Sequence, residues 1–224
     1  EYDALNKISW IKGSDYKIRL SAASSGYQSV LPLSLITRFL SDLVLDNANK
    51  EDLSIKEKKQ IEKEVNKVMN DKSLTDGVKF AMLRNISSRF KYSCFVNIVE
   101  EMELNLYPES QRSVLFDLLS YANKIELNRL VLTTHSPYVI NYLTLAAKAF
   151  LLTQKVSANE TLQERVKEVV PADSAIDPAR LRIYELKDGG VFRLSTYEGL
   201  PSDENFLNIQ LGVTNELFDQ LLEI

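Results

Sequence analysis

Cysteine and histidine occur once each in these 224 residues, and no glycine-rich loop ending in Gly-Lys-Ser or Gly-Lys-Thr occurs at all. The lone Cys94 cannot form an internal disulfide. Its place in the apolar run Cys94-Phe95-Val96-Asn97-Ile98-Val99 predicts a buried thiol in a reducing, cytoplasmic compartment. Without a phosphate loop there is no cradle of backbone N–H groups and no lysine to anchor a nucleotide. Lys12-Gly13-Ser14 has the wrong order, and Gly189-Gly190 falls in a predicted hairpin.

A strong excess of charge of one sign is also missing. A formal net charge of −4 gives no global attraction to nucleic acid or acidic lipid, so such a contact would need a local basic patch. Lys79, Arg84, Arg89 and Lys91 gather around one predicted helix, but the neighbouring helix mixes lysine with glutamate as a solvated face does. Nucleic-acid binding is left unassigned. The most apolar stretch, Tyr138 to Leu152, is too short to span a bilayer and carries Asn141 and Lys148, so no membrane segment is expected. No segment of these residues reads as a signal peptide, and no internal repeat or low-complexity tract stands out. Glu1 enters directly on strand-like sequence, and a preceding portion of chain is expected.

What is present is an ordinary soluble composition, 45% apolar and 26% charged, in a chain long enough to bury a substantial core. Ile8 to Ile11 and Tyr16 to Leu20 read as two strands joined by the Lys-Gly-Ser-Asp turn. Ser21 to Ser29 is a small, polar loop. After it Leu35, Ile36, Phe39, Leu40, Leu43 and Val44 recur at helical spacing. Ser54-Ile55-Lys56-Glu57 is a capping box that opens a helix to about residue 69, with the narrow stripe Ile61, Val65, Val68 and Met69. A second helix follows to about Phe90. From residue 94 onward strand, helix, strand, helix alternate, which predicts an α/β fold with a parallel sheet. A mixed polar region then leads to a hairpin of Arg180 to Leu186 and Val191 to Tyr197 around Asp188-Gly189-Gly190, and Phe206 to Leu222 closes as helix.

The chemistry sits at two predicted strand ends. The strand from residue 94 delivers Glu100 and Glu101, and the strand at 129 to 134 delivers His135 inside Thr133-Thr134-His135-Ser136-Pro137. Neighbouring parallel strands would bring the carboxylate pair and the imidazole to one sheet edge, where open α/β sheets bind ligands.

Three motifs in order, Ala23-Ser24-Ser25-Gly26-Tyr27-Gln28, Val99-Glu100-Glu101 and Thr134-His135-Ser136, resemble the C-terminal lobe of ABC-type ATPases of the SMC-like and RecF-like class. The resemblance covers nearly the whole chain and implies a P-loop NTPase-like fold. Residues 21–92 would form the signature loop and helical subdomain, and 93–224 the core that carries the glutamate strand and the switch histidine. It further implies ATP and Mg2+ as ligands, a separate N-terminal phosphate-loop lobe, and ATP-dependent homodimers. By the same resemblance Glu101 is the general base, Glu100 lies on the magnesium side, and His135 contacts the γ-phosphate. Ser25, Gly26 and Gln28 would meet nucleotide held by the opposing subunit, joined by Glu103 and Asn105 from the segment after the glutamates. Glu100 stands where the family usually has aspartate, Met102 where the subclass often has proline, and Tyr27 at a usual glycine.

Two other readings compete. A Toprim-like metal nuclease would use Glu100, Glu101 and Glu103, but no two aspartates here are spaced two apart as that class requires. A non-catalytic lobe would only dimerise or bind a partner.

Overall fold

The structure, a computed structural model, describes residues 1–49, 55–89 and 92–224. Its centre is a parallel pair, β4 (Val96–Glu100) and β5 (Arg129–Thr133), whose register runs from Val96 opposite Arg129 to Glu100 opposite Thr133. Helix α4 (Pro108–Asn123) makes the crossover, and α5 (Pro137–Lys155) follows β5. Both helices begin on proline, which lacks the N–H that a first turn leaves unpaired anyway. Val114, Leu115, Leu118 and Leu119 recur along one face of α4 and are buried with Val139, Leu143 and Ala146 of α5. Each fully buried aliphatic chain contributes about 1.5–3 kcal/mol relative to exposure.

Asn128 fastens the start of the parallel pair. Its Oδ1 accepts from the Phe95 N–H at 3.1 Å, and its Nδ2 donates to the Tyr121 carbonyl at 3.3 Å. Cys94 was expected inside the strand as a buried thiol; it precedes β4 and is half-buried.

The N-terminal hairpin forms as predicted, as β2 (Ile8–Lys12) and β3 (Lys17–Arg19), and β1 (Tyr2–Asp3) adds a third antiparallel strand. Helix α1 (Ser25–Asn49) starts earlier than the small polar residues suggested. The Gln28 N–H bonds the Ser24 carbonyl at 3.1 Å, and Pro32 lies within the helix rather than ahead of it. Its inward face is only partly the one the apolar spacing indicated. Thr37, Ser41 and Val44 are buried, while Leu35, Ile36 and Phe39 are exposed. Thr37 Oγ1 accepts from Asn97 Nδ2 of β4 at 3.0 Å, and Ser41 Oγ donates to the Tyr121 carbonyl of α4 at 3.5 Å. By length and composition alone, Ser25–Asp46 is apolar enough to cross a membrane. In the fold this helix lies on the core, and its Asp42 pairs with Lys124, the residue that follows α4, at 2.8 Å.

α2 (Ile55–Asn70) packs on α3 (Asp76–Arg89) through one side, with Val68 buried. Ser54 of the expected cap, Phe90 and Lys91 lie outside the described residues. Lys79 donates to the Met69 carbonyl at 3.2 Å, closing the end of α2 rather than lying free for a phosphate. After α5 come α6 (Glu160–Val169), capped by Asn159, and two short hairpins. The first, β6 (Tyr184–Lys187) with β7 (Gly190–Arg193), turns through positive φ at Asp188 and Gly189, a combination that matches strand twist. The second, β8 (Thr196–Tyr197) with β9 (Leu200–Pro201), splits what the sequence presented as one longer strand. Helix α7 (Phe206–Leu222) buries none of its side chains.

Candidate functional site

Glu100 is the last residue of β4, and its side chain lies exposed on the sheet face that also carries Val96 and Ile98. Glu101 follows at φ 46°, a left-handed conformation that costs a non-glycine residue on the order of 1–3 kcal/mol. Its N–H is pinned to β5 by the Thr133 carbonyl at 3.0 Å and the Thr133 hydroxyl at 3.1 Å. The bend turns the carboxylate across to the neighbouring strand end, where Glu101 Oε1 stands 3.6 Å from His135 Nε2. The two groups expected at one sheet edge are thus brought together. Both stay open to solvent, and the His135 side chain is 84% exposed.

Behind His135 lies a network that sequence reading only partly anticipated. Glu103, expected to reach a partner, turns inward instead: its Oε1 accepts from the Thr134 hydroxyl at 2.9 Å and from the His135 backbone N–H at 2.6 Å. Thr134 Oγ1 takes the Ser136 N–H at 3.0 Å, and the Ser136 hydroxyl donates to Gln111 Oε1 at 2.6 Å. Gln111 Nε2 then donates to the Leu106 carbonyl at 3.0 Å. Gln111 was missed, although its position was legible. It falls four residues before Leu115 on the buried face of α4, and a polar residue on such a face needs a partner.

The first turn of α1 meets the same segment. Gly26 is buried, and a Cβ there would stand 2.8 Å from the Asn105 carbonyl oxygen and 3.2 Å from Leu106 Cδ2. Asn105 itself sits at φ 59° in the turn. Ser25 remains exposed. Gln28 commits its amide nitrogen to the Ala23 carbonyl at 2.8 Å, so it folds the loop back on itself and keeps only its amide oxygen free of that bond.

Among the described residues no three His, Cys, Asp or Glu side chains are grouped closely enough to hold a metal alone. Adjacent Glu100 and Glu101 can offer one carboxylate, that of Glu100, to a magnesium ion that completes its shell with water and phosphate oxygens, and the other to a water. They do not suit a nuclease centre of three protein carboxylates, because Glu103 points away into the histidine loop.

Beside the site runs a cavity of about 1000 Å³ between β5 and the Leu181–Leu186 segment, floored by Leu119, Val139 and Leu143. Among the described residues, β5 pairs only with β4 and β6 only with β7, so each strand has an open edge. The outer face of the parallel pair is bare too, with Val96, Ile98 and Val131 exposed by 60%, 68% and 47%. No family model, curated protein or solved structure matches this chain.

Proposed function

We propose that this chain is the C-terminal lobe of a cytoplasmic ABC-type ATPase of the SMC-like and RecF-like class, with a P-loop NTPase-like core, active once a phosphate-loop lobe completes it. The observation that carries this reading is the meeting of Glu101 and His135, 3.6 Å apart at the ends of two adjacent parallel strands. Water attack on a terminal phosphoryl group asks little covalent chemistry of a protein; positioning and charge compensation supply most of the rate. In this reading the Glu101 carboxylate accepts a hydrogen bond from the attacking water and aims it at phosphorus. His135 donates a hydrogen bond to a γ-phosphate oxygen without adding a permanent charge. Glu100 is the residue that would hold magnesium, whose chemistry is to offset the phosphate charge.

Ser25, Gly26 and Gln28 stand at the N-terminus of α1, where free N–H groups and the helix dipole favour an anion. With Asn105 they would meet ATP held by the opposing subunit, giving an ATP-dependent head-to-tail homodimer. The bare sheet face and the cavity beside β5 support the need for a completing lobe, because parallel sheets are ordinarily covered on both faces.

The test is Glu101→Gln in the completed protein. ATP binding should persist, hydrolysis should fall about 10²–10⁴-fold, and ATP-bound dimers should accumulate. Turnover equal to the parent would exclude Glu101 as the base. A second reading, a non-catalytic partner-binding lobe, is favoured by α7, which leaves Phe206, Phe218, Leu221 and Leu222 exposed. It predicts no turnover even when the phosphate-loop lobe is supplied.

A further inference from the structure

We propose that Glu103 is the positioning residue for His135. The inference rests on the reading of His135 as the phosphate-contacting group, and it begins from what does not hold that side chain. The imidazole is 84% exposed, and its one polar contact among the described residues is Glu101 at 3.6 Å. With so little of the ring covered, its placement is set by its backbone.

That backbone is held by one carboxylate. Glu103 Oε1 takes both the His135 N–H at 2.6 Å and the Thr134 hydroxyl at 2.9 Å, and bonds to an ionised acceptor are the strong kind. The hold is part of a closed circuit: Glu103 to Thr134, Thr134 to Ser136, Ser136 to Gln111, Gln111 to the Leu106 carbonyl, and the Leu106 N–H back to the Glu103 carbonyl at 3.0 Å. Ser136 and Gln111 are each only 7% exposed, so water does not substitute for the protein partners. Glu103 Oε2 is buried with no hydrogen-bond partner among the described residues. The carboxylate has accepted loss of solvent on one oxygen while the other binds the loop, which marks the Oε1 bonds as those that keep it inward. The Asn105–Leu106 turn in the same circuit is the one that abuts Gly26. Glu103 therefore links the N-terminus of α1 to the histidine within one chain.

His135 is the only histidine, so its resonances are unambiguous, and the 224-residue chain can be tested directly by NMR. In the parent, the His135 amide proton should lie at low field and exchange slowly with solvent, as expected of an N–H bonded to a carboxylate at 2.6 Å. Glu103→Gln keeps an acceptor of nearly the same shape, so the fold should persist while that proton moves upfield as its acceptor loses its charge. Glu103→Ala should speed exchange of the same amide at least tenfold. An unmoved His135 amide proton in Glu103→Gln, or unchanged exchange in Glu103→Ala, overturns the hold.

The reaction arm uses the protein completed by a phosphate-loop lobe. Glu103→Gln should lower kcat at least tenfold with KM for MgATP within twofold, and Glu103→Ala should be worse. A change in KM alone, or parental kcat, overturns the positioning role. Absence of turnover in the parent would instead remove the ATPase reading and leave the hold to the NMR result.

Discussion

Gly26 offers a test with an internal control. It is the second residue of α1, and Gly77 is the second residue of α3, so alanine gains a similar small helical advantage at both, up to about 1 kcal/mol. Their surroundings differ. A Cβ at Gly77 meets nothing within 4 Å, whereas one at Gly26 stands 2.8 Å from the Asn105 carbonyl oxygen. The obstacle is backbone, in a turn that Asn105 holds at φ 59°, so it cannot swing aside as a side chain would. Forcing a methyl into a packed site costs about 1–3 kcal/mol. Gly77→Ala should thus be neutral or stabilising, and Gly26→Ala should be less stable than Gly77→Ala by about 1–3 kcal/mol. With about 2–4 °C per kcal/mol for a chain of this size, thermal melts resolve the gap, and urea unfolding should give the same order. Displacing the Asn105–Leu106 turn should also perturb the His135 amide through the shared circuit. Gly26→Ala as stable as Gly77→Ala would refute the close packing of α1 on that turn.

Leu115→Ala should cost about 2–5 kcal/mol by chemical denaturation, because Leu115 is completely buried between α4 and α5. Asn128→Ala should cost about 1–3 kcal/mol in the same assay, since it strands the buried Phe95 N–H. Lys124 holds the Asp42 carboxyl below its ordinary range. That pair therefore adds stability above the usual carboxylate range and loses it as pH falls through the lowered value. Melting temperatures of parent and Asp42→Asn should converge on acidification; a gap independent of pH would contradict the pairing. Ser25→Arg should leave the monomer folded, because Ser25 is exposed, yet block ATP-dependent dimerisation of the completed protein in analytical ultracentrifugation.

The central α/β layer was readable because hydrophobic run lengths and flanking turn residues report strands and crossover helices directly. Glu100, Glu101 and His135 were readable for the same reason, since each ends an apolar run. The inward face of α1 was readable only in part. Val44 of the apolar stripe is buried and Leu40 and Leu43 are half-buried, but Leu35, Ile36 and Phe39 are exposed, and Thr37 and Ser41 are buried through bonds to Asn97 and the Tyr121 carbonyl that no periodicity encodes. Glu103 failed for a related reason. An acidic residue in a loop reads as exposed, and only the approach of β5 to β4 shows that its partners are a backbone N–H and a hydroxyl more than thirty residues away.

The partly misread face of α1 and the bare face of the parallel pair bear on one another. Val96, Ile98 and Val131 on the sheet are β-branched aliphatics of the kind that fill the inside of an α/β fold, yet they face solvent. A sheet with one apolar face uncovered and an open edge on β5 exposes both surface and backbone groups that burial would satisfy. A completing lobe that supplied one strand beside β5 and a helix across Val96 and Ile98 would remedy both deficits at once. It would also carry its loop toward the strand ends where Glu101 and His135 meet. The same completion that stabilises the sheet would then assemble the proposed site, so folding stability and ATP turnover should appear together on adding that lobe. Titration of the chain with a phosphate-loop lobe, followed by melting temperature and phosphate release, would separate the cases. Turnover without a rise in melting temperature would show that the sheet is not where the lobe docks.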